Sequence, residues 1–85
     1  MAKAIGKRMH EMSRHMQVIS ITHLPQIAAL ADAHYKVYKK VVGSSTQTFL
    51  TLLNEEDRIE ELAEMISGKD VKESARLHAR ELRNV

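Results

Sequence analysis

The chain has 85 residues, of which 44% are hydrophobic and 28% charged, and its formal net charge is +2. That length allows one domain with a small core, and such domains are marginal unless they are well packed or associated. The absence of cysteine excludes a disulfide framework and thiolate metal sites. A mildly basic, mixed balance of charge is not the footprint of a dedicated nucleic-acid binder. No apolar run approaches the ~18 residues needed to cross a bilayer. No apolar stretch follows Lys3, Lys7 and Arg8 to make a signal peptide. We expect a cytoplasmic protein with no membrane partner, its core built from Ile, Leu, Val, Met and Ala, because Tyr35, Tyr38 and Phe49 are the only aromatics.

Residues 2–15 read as a helix. Ile5, Met9, Met12 and Met16 fall on one face, with Lys3, Lys7, Arg8, Glu11 and Arg14 largely elsewhere. Gly6 weakens this helix slightly. Gln17–Thr22 changes character: Val18, Ile19 and Ile21 are β-branched, and a short run of this kind before a proline predicts a strand buried on both faces. Pro25 suits the first turn of a helix, and Leu24 before it is pushed out of helical conformation. A short, apolar helix is therefore predicted over 25–31. Helix, apolar strand and helix together give the rhythm of a parallel α/β sheet.

Two strands follow, His34–Val42 and Thr46–Leu53, joined through Gly43-Ser44-Ser45 as a hairpin. Lys36, Lys39 and Lys40 suit a solvated edge strand, a better reading than contact with nucleic acid. Asn54 is placed to cap a helix whose first turn carries Glu55, Glu56 and Asp57, with Ile59, Leu62, Ala63 and Ile66 as its apolar stripe. Gly68 should end that helix in left-handed conformation. Asp70, with Glu73 three residues on, is expected to cap the last helix, which turns Val71, Ala75, Ala79 and Leu82 inward.

No Gly-rich phosphate loop, Ser-His-Asp set or pair of acids at a strand end is present. His10 and His15 are five residues apart and share a helix face poorly, and His34 sits on another element, so no metal site is expected from them. His23 stands out by position. It falls at the C-terminal end of the apolar strand, where ligands collect in open α/β sheets. An imidazole there can hydrogen-bond a phosphate oxygen or an attacking water. The plainer alternative is a histidine that only caps the turn into the following helix.

The run QVISITHLPQIAALADAHYKVYK, followed by EEDRIEELAEMISGKDVKESARLHARELR, resembles the RecN family of bacterial DNA double-strand-break repair proteins, SMC-like members of the ABC ATPase class. The Thr-His-Leu-Pro-Gln run and the Arg-Ile-x-Glu-Leu-Ala-x-Met pattern leading to Gly carry the resemblance, which covers essentially the whole chain. It implies an α/β fragment, residues 1–85, of a P-loop ABC-type ATPase head: helix, strand, helix, then a β-hairpin and two C-terminal helices. It also implies that His23 is the histidine switch that contacts the γ-phosphate of ATP, with Thr22 and Gln26 as neighbours. The Walker A loop, signature motif, Walker B acids and D-loop of that family are missing here. The expectation is a C-terminal piece of a DNA repair and recombination ATPase. ATP and Mg²⁺ would belong to the full-length parent, as would DNA as partner, and the fragment alone would be inactive and bind no cofactor. Cut from the remainder of the head, it should expose an apolar strand edge and self-associate. The alternative is a small stand-alone α/β module that binds a protein or nucleic-acid partner without catalysis.

Overall fold

A computed structural model describes residues 1–84. Its elements are α1 (Ala2–Met12), α2 (Pro25–Ala28), β1 (Tyr35–Val42), β2 (Ser45–Leu52), α3 (Glu55–Ser67) and α4 (Glu73–Arg83). The α/β content expected from the sequence is present, but its one sheet is the antiparallel pair β1–β2.

The strand expected at Gln17–Thr22 does not form; residues 17–22 carry no regular structure. Ile19 is 81% exposed and Ile21 fully so, at 101%. The β-branched composition is that of a strand, but a strand needs a neighbour to take its N–H and C=O groups. Among the described residues none lies beside it, so composition alone does not make the element.

α1 ends at Met12, three residues short of the expected boundary. The Ser13 hydroxyl donates to the carbonyl oxygen of His10 at 2.6 Å, and residues 13–15 form a turn. The anticipated apolar stripe of α1 is largely uncovered: Ile5, Met12 and Met16 are exposed, and Gly6 is the buried residue of this helix. α2 is one turn long, with Pro25 in its first turn as expected, and Ala28 and Ala29 behind it are buried.

The core lies where α2 meets α3 and α4. Leu62 and Ala63 of α3, Ala75 and Ala79 of α4, and Ala28 and Ala29 are its buried residues, with Ile59, Ile66, Val71 and Leu82 packed against them. The apolar stripes read from the last two helices are thus the ones that meet. Glu55 pairs with Arg83 and Glu60 with Arg76, so α3 and α4 run antiparallel.

The caps divide. Asn54 caps α3, its Oδ1 accepting from the Asp57 N–H at 2.8 Å. Gly68 ends the helix as expected, but with φ of 84° and ψ of –170° it adopts a positive-φ conformation open to glycine and not the left-handed helical one. The expected Asp70 cap is not used: α4 begins at Glu73, its N-cap is Lys72, and no side chain caps it. Glu73 instead lies within 3.2 Å of Arg76, one turn on.

The hairpin turn is tighter than expected. Val42 is paired with Ser45, leaving Gly43 and Ser44 as a two-residue loop. Gly43 has φ of 63° while Ser44 has negative φ, as in a type II′ turn. Tyr38 stacks on Phe49, with ring centroids 5.6 Å apart. On the opposite face Tyr35 pairs with Leu52, Val37 with Leu50 and Val41 with Thr46, and all of these apolar side chains are exposed. Lys36 ties the hairpin to α3 through Glu61 at 2.8 Å, a contact that raises the lysine's pKa.

Candidate functional site

His23 sits at the end of the unpaired stretch, two residues before Pro25, with its side chain exposed. The turn around it is shaped locally. The Leu24 N–H donates to Thr22 Oγ1 at 3.0 Å. Leu24 is extended, with φ of –99° and ψ of 117°, as a residue before proline must be. Its carbonyl oxygen then accepts from the N–H groups of Ile27 and Ala28, each at 3.1 Å. Thr22 therefore has a definite local role: it fastens the backbone on the far side of His23. Gln26 points its Oε1 into the protein, where the atom is buried without a hydrogen-bond partner.

The structure does not gather the other histidines around His23. His10 Nδ1 approaches Asp32 at 3.8 Å. His34 lies beside Arg58 and Glu61, its Nδ1 buried and unpartnered. Burial pushes the His34 pKa down, and the nearby Arg58 adds to the effect. Among the described residues no three His, Asp or Glu side chains come together as metal ligands. An open cleft of about 390 Å³ lies between α1 and the loop after α2, lined by Lys7, His10, Glu11, Arg14, Asp32 and Arg83, and His23 is not part of it.

What the sequence reading missed is the pair of arginines behind α2. Arg58 is only 4% exposed. Its Nη2 donates to the carbonyl oxygen of Ala31 at 2.7 Å and its Nη1 to that of Asp32 at 3.2 Å. Arg83 Nη1 donates to the carbonyl oxygen of Ala29 at 2.6 Å, while its Nε and Nη2 grip the Glu55 carboxylate at 3.0 and 3.1 Å. Desolvation, and Arg83 close by, lower the Arg58 pKa, yet a guanidinium stays charged under such pressure. A signal existed: Arg58 precedes Leu62 by four residues, so it shares the buried face of α3.

What this arrangement offers chemically is an accessible imidazole next to a backbone turn tied at Leu24. Among the described residues no cluster of acids and histidines stands ready to hold Mg²⁺, so by themselves they do not fit the metal of a nucleotide complex. No helix of the described residues is long and apolar enough to cross a membrane.

No protein-family model matches the chain. It is 42% identical over 81 residues to the DNA repair protein RecN of Halalkalibacterium halodurans, covering 95% of this chain and 14% of that protein. RecN of Streptomyces coelicolor is 43% identical and RecN of Bacillus subtilis 38% identical over the same length and shares. The chain thus spans 14% of the length of these curated relatives. Over nearly all its residues, and as the Thr-His-Leu-Pro-Gln run and the C-terminal helices indicate, this chain is similar to a segment of the DNA repair protein RecN.

Proposed function

We propose that this chain is the C-terminal part of the ATPase head of a RecN-type DNA double-strand-break repair protein, and that His23 is its γ-phosphate switch. The observation that carries the reading is a similarity of 38–43% identity to three RecN proteins across 95% of the chain. The free side chain of His23, set on a tied turn just ahead of Pro25, agrees with it. Phosphoryl transfer depends on positioning and on electrostatic stabilisation of the equatorial oxygens. An imidazole N–H held at the γ-phosphate supplies one such donor. The phosphate-binding loop and the Mg²⁺ ligands come from the rest of the head, and DNA is a partner of the whole protein. Within that head, residues 17–22 pair with neighbouring strands and become the buried strand that their composition describes.

The test is a hybrid in which this chain replaces the matched 81-residue segment of Bacillus subtilis RecN. The hybrid should hydrolyse ATP. His23→Ala should lower turnover at least tenfold, with nucleotide binding and thermal stability little changed, because the side chain lies outside the core. Full turnover in the His23→Ala hybrid removes the assignment.

A further inference from the structure

α2 is a single turn, and one helical turn does not hold itself together in water. The Pro25, Ile27 and Ala28 carbonyls accept from the N–H groups of Ala29, Leu30 and Ala31, but the residues that follow the helix leave further carbonyls open. Two arginines from distant parts of the chain take those up. Arg58 of α3 donates to the carbonyl oxygens of Ala31 and Asp32, with a longer contact of 3.5 Å to Ala28. Arg83 of α4 donates to Ala29 and, at 3.4 Å, to Ala31. Glu55 holds the Arg83 fork in place through two bonds. The planar guanidinium suits this work: it spans several acceptors at once in a fixed geometry, which an ammonium group does not.

From the arginines the connection to His23 is short. The carbonyls they hold belong to residues 28–32. The Ala28 and Ala29 N–H groups in turn donate to the carbonyls of Leu24 and Pro25, at 3.1 and 2.9 Å. Leu24 follows His23 directly. We infer that Arg58 and Arg83 are positioning residues that set the place of His23 from the C-terminal helix pair. This rests on the proposed role of His23 for its consequence in catalysis, but not for the contact itself. The arginines fix the turn on which the imidazole is carried, and Glu55 fixes one of them.

Two measurements separate the parts of this inference. In the 85-residue chain, Arg83→Met should raise amide exchange at Ile27–Ala31 at least tenfold, while α3 amides remote from Arg83 stay protected. Arg58→Met should do the same, and Arg83→Met, at the less buried site, keeps the test open if Arg58→Met does not fold. Unchanged exchange at Ile27–Ala31 in Arg83→Met overturns the inference whatever His23 does. In the RecN hybrid, Arg83→Met should lower kcat about tenfold with KM for ATP unchanged, and the loss should vanish when His23 is already Ala. An equal loss in both backgrounds means that Arg83 only supports the fold, and overturns its positioning role. A hybrid in which His23→Ala has no effect removes the switch reading, and the exchange result then still decides whether the arginines order α2.

Discussion

Gly6 of α1 lies against Leu30 so closely that a Cβ added to it would stand 2.9 Å from Leu30 Cδ1. The same Cβ would meet the carbonyl oxygen of Gln26 at 3.3 Å and Ile27 Cα at 3.4 Å. The glycine that weakens α1 as an isolated helix is the residue that lets it dock on α2. For Gly6→Ala two effects oppose. Alanine improves helix propensity by about 1 kcal/mol, and the flexible end of Leu30 can move aside, so stability should change by less than about 1 kcal/mol. Gly6→Val adds branches that meet backbone, which cannot give way, and should cost about 1–3 kcal/mol. Urea unfolding of the two variants checks the contrast; equal midpoints would mean that α1 does not dock through this contact.

Asn54 gives a second stability prediction. Its Oδ1 satisfies the Asp57 N–H, one of the donors left open at the start of α3. Asn54→Ala should cost about 1 kcal/mol, read as a lower urea midpoint with an unchanged slope. Asp70→Ala should have no comparable effect, since α4 starts three residues later and Asp70 caps nothing.

His34 sets a pH dependence. Its folded pKa lies below the ordinary 6.5 because burial, then Arg58, disfavour its charged form. As pH falls through 6.5 the unfolded chain takes up this proton first, so the folded state loses ground. Stability should therefore decline from about pH 6.5 down to the lowered folded value, with this group contributing at most about 1.4 kcal/mol per pH unit, and level off below it. Glu61 opposes the shift and Arg83 adds to it. Glu55, whose pKa is lowered by its hydrogen bond to Arg83, acts in a separate window below 4.5. Urea midpoints from pH 7.5 to 5 should slope in the wild type and flatten in His34→Gln. A slope that survives the substitution would assign it to another group.

The uncovered apolar surface predicts association of the isolated chain. Ile19, Ile21 and the hairpin face of Tyr35, Val37, Leu50 and Leu52 are all exposed, and residues 17–22 present unpaired backbone as well. Light scattering should show a mass that rises with concentration. Ile19→Lys with Ile21→Lys should shift it towards the monomer. A strictly monomeric wild type at high concentration would refute this.

Several features were legible because they are local. The Asn54 cap, the Gly68 stop, the first-turn Pro25 and the apolar stripes of α3 and α4 each follow from a few neighbouring residues, and the structure has them. The run at 17–22 reads as a strand because its composition is right, but pairing is a property of what lies alongside. Asp70 fits the capping-box spacing, yet it lies in a bend and Lys72 is still extended before α4 begins. The turn between His23 and Pro25 could be read from the sequence, although the strand expected to lead into it does not form, and the spacing of Arg58 to Leu62 marked its buried face but not what the two arginines bind. Their partners are backbone oxygens 26 to 54 residues away, and carbonyls leave no mark in a sequence.

The Arg83–Ala29 bond also has a genetic consequence. Arg83 stands almost at the end of the described chain, and the turn that it holds lies 54 residues earlier. A stop codon at position 83, which leaves the core residues Ala75, Ala79 and Leu82 in place, would act as a lesion in the turn after α2, although every codon of that turn remained intact. Such an allele should share the phenotype of a missense change at Ala29, and mapping by position alone would place its effect in the wrong part of the protein.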